Sequence, residues 1–475
     1  MSDLIAGMPR LIQAGMGVQV SCARLANATA RLGALGVVSG VGLRHIVVEQ
    51  VRAGDEIAIS LAQTFPIKRY VEDLLSYARG GSRFHLEPPM DLPDPVRGAL
   101  ARRLSVIGAY VEVLRAKSGH RGRVGVNVMW KCALTVLPTI YGAMLGGVDA
   151  LLCGAGVPME LPDIVTNLRA GNAVEYEALT GTGTHVLLEA PGDEGAALLA
   201  QHPAPHMIPI LSNFAFPKRI LDIWNRDMEG ARPFAFVLEN HRAGGHNAPP
   251  RNRVSFGDPD EIDAYFDKVL AMGVPVYVAG ALDEGGSRND YLRWLARGAY
   301  GVQIGSRFAL CRESGMRDDL KQQVVDRNHT KETTVLTDNV LSPTGYPFKV
   351  VPLEGTLADP TVYEARKRIC NRAYLVTSTW DTRPDGTRRE RYICPAMPEK
   401  QYRTLGGDVA DLTGRVCLCN ALLSTAGLYT DVEPPIITLG ESGVHAEKML
   451  SAREIVEDIL TPEVVAEQER ALALA

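Results

Sequence analysis

Short, almost wholly apolar runs recur along the first two thirds of the chain, each followed by a longer stretch with helical spacing. They fall at 10–14, 36–39, 124–128, 150–153, 184–188, 207–211, 234–238, 274–279 and 301–304. Strands buried on both faces read as continuous apolar stretches, and their alternation with helices predicts a parallel sheet. So many units favour closure over an open sheet. The expected fold is therefore α/β, a (β/α)₈ TIM-type barrel. A short buried strand and a piece of core helix look alike in such a run, so one or two of these assignments stay open.

Two regions break the repeat. The segment 41–123 is much longer than a one-helix crossover and reads as a helical insertion, serving as a lid or a subunit contact. Within it, FHLEPPMDLPDPVRGAL is rich in proline and acid and marks a loop, and ARRLSVIGAYVEVLRAK follows with helical spacing. Beyond residue 325 the repeat stops. SPTGYPFKV, DTRPDGTRRE and YICPAMPEK are dense in turn residues, so the expected division is a barrel over 1–325 and a C-terminal accessory region over 326–475 that wraps it. Near the end, Ser451 starts a helix and the proline of TPEVV begins a second one.

Composition narrows the class. A chain of 475 residues with 46% hydrophobic and 22% charged residues buries a large core without covalent staples. A net charge of −5 leaves no basic footprint for nucleic acid. No apolar stretch is long enough to span a membrane, and MSDLIAGMPR lacks a secretion-signal pattern, so a cytoplasmic homo-oligomer acting on a small molecule is expected. Eight cysteines are too few for a disulfide scaffold at this length.

Three clusters at strand ends carry chemistry. VLENHRAGGHNAPP runs from Val237 to Pro250, where a barrel places its catalytic loops. Gly244 and Gly245 let backbone approach a flat ligand, and His246 can hold or release a proton near neutrality. A tight turn with a surface histidine would have the same letters. In YVAGALDEGG and GVQIGSRF, Gly280, Gly305 and Ser306 end two successive strands in small residues, the arrangement with which barrels cradle phosphate. In LIQAGMGVQVS, Gly15, Met16 and Gly17 offer a bare backbone edge and one soft apolar side chain, which suits an isoalloxazine. Asn127 of GVNVMW adds an amide able to donate and accept at a ring edge.

Taken in order, LIQAGMG, GALGVVSG, VGVNV, AGGH, VAGALDEG and GVQIGSRF resemble the nitronate monooxygenase (2-nitropropane dioxygenase-like) family of FMN-dependent TIM-barrel oxidoreductases, in segments from Pro9 to Gly315. The resemblance implies FMN contacts from Gly15, Met16, Gly17, Asn127, Gly244, Gly245, Gly280, Ala281, Gly305 and Ser306, with His246 as catalytic acid/base. Ser306 stands where threonine is usual, and Ala281–Leu282 where relatives often have a second paired glycine. In HNAPPRNR, Arg251 and Arg253 fit an anionic substrate or a nicotinamide phosphate, and equally an ordinary solvated loop.

The C-terminal stretch looks like a longer branch of the same family. There Cys370, Cys394, Cys417 and Cys419 supply thiolates for zinc or an iron–sulfur cluster, or else are four buried thiols. The reaction implied is oxidation of a small nitroalkane or its nitronate, with His246 taking a proton from carbon. Two alternatives stand beside it. One is NAD(P)H-dependent reduction, through FMN, of a quinone or an activated alkene such as a carrier-bound enoyl thioester. The other is a non-catalytic flavin or metal-cluster sensor.

Overall fold

The computed structural model describes residues 7–80, 95–179, 184–188, 192–228, 230–382 and 385–473. Eight parallel strands close into a barrel: β1 (Leu11–Gln13), β2 (Leu35–Ser39), β3 (Val124–Met129), β4 (Ala150–Gly154), β5 (His206–Leu211), β6 (Phe236–Glu239), β7 (Val276–Ala279) and β8 (Gly301–Ile304). Neighbours in sequence are neighbours in space. At the closing seam Gln13 pairs with Ile304 on one side and Gly36 on the other.

Side chains alternate in and out along each strand. Ile12, Leu35, Val37, Leu152, Ile208, Val237 and Tyr277 fill the barrel, while Leu11, Val38, Leu151, Leu238 and Val278 pack outward under the helices. Both faces are dry, which is why the strands read as unbroken apolar runs. The seam is tight: a Cβ on Gly301 would stand 1.9 Å from the Arg10 carbonyl oxygen.

One expected barrel strand lies elsewhere. Thr184–Leu188 pairs antiparallel with Val174–Leu179 in a separate two-stranded ribbon. Val174 and Leu188 are buried there, whereas Leu187 is 52% exposed. A strand with one wet face cannot belong to the interior of a parallel barrel.

The insertion is helical, with Leu43–Arg52, Glu56–Gln63, Lys68–Arg79 and Pro95–Lys117. The proline- and acid-rich tract at 84–100 lies outside the described residues up to 94. Rather than a lid, Pro95–Lys117 forms outer wall: a Cβ on Gly142 of the helix Ala133–Leu145 would stand 2.1 Å from the Val106 carbonyl oxygen. Held between such neighbours, Ala133–Leu145 is buried on every side, which explains its lack of a polar face. Among the described residues no helix is long and apolar enough to cross a membrane.

After the helix Asp318–His329 the chain runs back over the barrel. A capping box of Ser451 and Glu454 starts the helix Ala452–Leu460, and Pro462 opens the helix Pro462–Leu472. These two return to the first barrel helix, Ala23–Arg31.

Candidate active site

A cavity of about 1370 Å³, counting the part open to solvent, sits at the C-terminal ends of the strands. Its floor is Gly15–Met16–Gly17 after β1, Asn127 on β3, Gly280 after β7, and Gln303, Gly305 and Ser306 on and after β8. Its far wall comes from the C-terminal region, through Tyr374, Leu375, Leu418, Leu422, Leu439 and others. Neither lysine nor arginine is among the lining residues.

The structure brings together every residue expected to touch a flavin except Ala281. Ala281 is buried behind the wall, its carbonyl accepting from Trp294 Nε1 at 2.8 Å and from Arg293 at 3.0 Å. Gly15 is required by Asn127, because a Cβ there would lie 2.1 Å from the Asn127 Cβ. The Met16 amide donates to Ser21 Oγ at 3.0 Å, and Ser39 Oγ holds the Gly17 carbonyl, which fixes the edge of this loop.

The loop carrying Gly244 and Gly245 is clamped by residues far along the chain. Gly245 N donates to Thr438 Oγ1 at 2.9 Å, and Gly440 N donates to Ser306 Oγ at 2.9 Å. Each hydroxyl thereby keeps its own proton for a ligand. Gln303 is buried, and its Oε1 accepts from no described group. An unpaired buried acceptor in a cavity wall fits a ligand N–H.

His246 lies against Phe348, edge to face with centroids 5.0 Å apart, and shares a 2.6 Å hydrogen bond from Nε2 with Ser342 Oγ. Ser342 in turn meets Thr344 Oγ1 at 2.8 Å, and Arg415 holds the carbonyls of Val340 and Ser342. With Nε2 so engaged, Nδ1 is the nitrogen left for a bound molecule. Burial, with a smaller push from the Lys131 ammonium, lowers the His246 pKa to about 3. The imidazole is therefore neutral throughout the physiological range. Replacing Ser342 by alanine orphans Nε2, at about 1–3 kcal/mol for a buried polar group. Turnover should fall about tenfold with KM little changed in steady-state kinetics, since the hydroxyl touches the imidazole and not the substrate.

The cysteines do not form the expected ligand set. Cys394 lies beside Cys370 and Cys419 beside Cys417, each neighbour pushing its partner's thiol pKa up. Among the described residues no group of three or more His, Cys, Asp or Glu side chains is arranged to hold a metal ion. Cys419 instead lines the cavity along with Cys132, whose thiol pKa burial raises. Arg251 and Arg253 are exposed and do not line the cavity, so the solvated-loop reading holds for them.

Sequence reasoning missed Glu239, Gln303, Ser342 and Thr438. The first two had a signal, a polar residue near the end of an otherwise apolar strand run. The other two lie in the C-terminal region and have none.

A sequence profile described as nitronate monooxygenase matches residues 224–346, the span that holds Glu239, the glycine pair, His246, Gly280, Ser306 and Ser342. Over this segment, about a quarter of the chain, the protein is similar to the nitronate monooxygenase family. A probable nitronate monooxygenase of Bacillus subtilis (strain 168) is 36% identical over 107 residues, which is 21% of this chain and 29% of the relative. The match thus spans less than a third of that relative's length. Among solved structures, FabK from Thermotoga maritima aligns with a TM-score of 0.49 at 15% identity, covering 99% of this chain and 98% of that one. A nitroalkane oxidase from Streptomyces ansochromogenes aligns with a TM-score of 0.46 at 16% identity, covering 98% and 99%.

Proposed function

We propose that the protein is an FMN-dependent oxidoreductase that takes a proton from a small, neutral, electron-poor substrate of the nitroalkane kind. The observation that carries this reading is a neutral, half-buried imidazole facing a glycine-floored cavity at the strand ends. Gly15, Met16, Gly17, Asn127, Gly244, Gly245, Gly280, Gly305 and Ser306 would hold the cofactor, and Gln303 Oε1 would accept from its polar edge. With no cation in the lining, a phosphate would rest on backbone N–H groups and the hydroxyls of Ser306, Thr438 and Ser442. Bound FMN supplies two-electron redox chemistry.

The chain's own part is proton transfer and exclusion of water. His246 accepts the substrate's C–H proton at Nδ1. The imidazolium then donates from Nε2 to Ser342 Oγ, whose proton goes to Thr344 Oγ1. Leu375, Leu418, Leu422 and Leu439 form a dry wall for the body of the substrate. The absence of a lining cation favours a neutral nitroalkane over its nitronate anion. The same apolar wall supports a second reading, reduction of a neutral activated alkene by way of NAD(P)H.

An absorption spectrum of the purified protein, followed by anaerobic additions, tests both. Flavin bands bleached by a nitroalkane and indifferent to NADPH are expected, with colour returning in air. Bleaching by NADPH alone would move the assignment to the reductase. Protein without flavin bands would sink the site reading itself.

A further inference from the structure

Glu239 ends β6, and its half-buried side chain lines the cavity. Among the lining residues it is the only carboxyl. Its immediate chain neighbour, Asn240, turns away and donates to Glu261 Oε2 at 2.7 Å. Nothing comparable serves Glu239: among the described residues its carboxyl has no hydrogen-bond or ion-pair partner, and burial is what acts on it. The titratable groups that share the cavity are His246, Cys132, Cys419 and Tyr374. Tyr265, outside the lining, feels the carboxyl weakly while donating to the Ser212 carbonyl. None of these brings a cation at neutral pH.

An unpaired carboxylate in such surroundings loses part of its hydration without compensation, whereas the neutral acid keeps an O–H donor. Burial accordingly pushes the carboxyl up to about 8. Two groups in one cavity are thus displaced in opposite directions, the histidine down and the glutamate up. Such divergence separates a base from a hydrogen-bonding acid.

We propose that Glu239 works as a neutral carboxylic acid, donating a hydrogen bond to the nitro or carbonyl oxygen beside the carbon that His246 deprotonates. The idea rests on the reading of the site given above and narrows its substrate class to neutral nitro and carbonyl compounds. In the step itself the C–H bond breaks, its proton goes to His246 Nδ1, and the electron pair spreads onto the substrate oxygen. Glu239 keeps its proton and strengthens its hydrogen bond as charge builds there.

Glu239→Gln retains a donor, whereas Glu239→Leu does not, and both are to be compared in flavin-loaded protein. Infrared difference spectra of wild type against Glu239→Gln should show a carboxylic-acid carbonyl band at pH 7 that vanishes as pH rises through about 8. A substituted phenolate, a stable stand-in for the charged oxygen, is titrated by the change in flavin absorbance. Its affinity should fall about ten- to hundredfold in Glu239→Leu, stay near wild type in Glu239→Gln, and weaken in wild type alone above pH 8. Flavin-loaded protein with no acid band at pH 7, or with undiminished phenolate binding in Glu239→Leu, overturns this proposal alone. Protein that never holds flavin overturns the earlier reading and this one with it.

Discussion

Replacing His246 by alanine is expected to lower kcat/KM about 10²–10⁴-fold, the usual contribution of a positioned general base, while the protein keeps its flavin. Retention of flavin follows because the cradle is mostly backbone, built by Gly15, Gly280 and Gly305 rather than by the imidazole. Rate and flavin content measured on one sample check both halves. Loss of flavin together with rate would recast His246 as a cofactor ligand.

The pH dependence adds a sharper check. His246 is depressed to about 3, so kcat/KM should show no loss from this group between pH 8 and pH 5. A histidine limb near 6.5 would contradict the buried geometry. For a base whose folded pKa lies below its unfolded value, the stability that its neutral form allows is complete above about 6.5. It is lost as pH falls through that value toward about 3. His246→Ala should therefore unfold less readily in acid than wild type, as read by urea midpoints at pH 4 and pH 8.

The second large effect is expected from Gly244→Ala. Its Cβ would stand 2.8 Å from Gly440 N and 3.0 Å from the Leu439 carbonyl carbon, and a Cβ on Gly440 would stand 2.8 Å from the Arg242 carbonyl oxygen. Backbone meets backbone here, so no side chain can swing aside. The C-terminal segment must lift, which strains the bonds from Gly245 N to Thr438 and from Glu441 N to the Arg242 carbonyl. The expected cost is about 1–3 kcal/mol of stability, as for other overpacking changes. Flavin should dissociate at least about tenfold more readily, because each 1.4 kcal/mol lost from the closed cradle is a factor of ten. Thermal unfolding and release of flavin fluorescence measure the two effects. Unchanged flavin affinity would mean that the C-terminal segment does not close the cavity.

Both predictions turn on contacts of very different reach. The glycine loops and His246 sit within a few residues of strand ends, where a barrel concentrates ligand contacts, so their part in a site was legible from the order of the motifs. Glu239 and Gln303 sat in the same runs as polar residues among apolar ones, a signal that local reading can use. The partners of His246 and Gly245 were not legible: Ser342 is 96 residues from the histidine, and Thr438 is 193 from the glycine. Likewise the four C-terminal cysteines read as a ligand set, yet among the described residues they are not arranged to hold a metal ion, and Cys419 lines the cavity.

The strand at 184–188 shows the same limit in the fold itself. As a short, mostly apolar run it looks like its neighbours, and its antiparallel partner, Val174–Leu179, takes it out of the barrel. What the sequence determined alone was the barrel class, the strand-end glycines and the histidine, because hydrophobic periodicity and backbone sterics act over a few residues. What only the tertiary structure decided was which distant segment caps the cavity, which partner holds the imidazole, and in which direction burial shifts the proton affinity of His246 and Glu239. Those outcomes depend on which groups lose water together, and residues as much as 193 positions apart decide that only once the chain has closed.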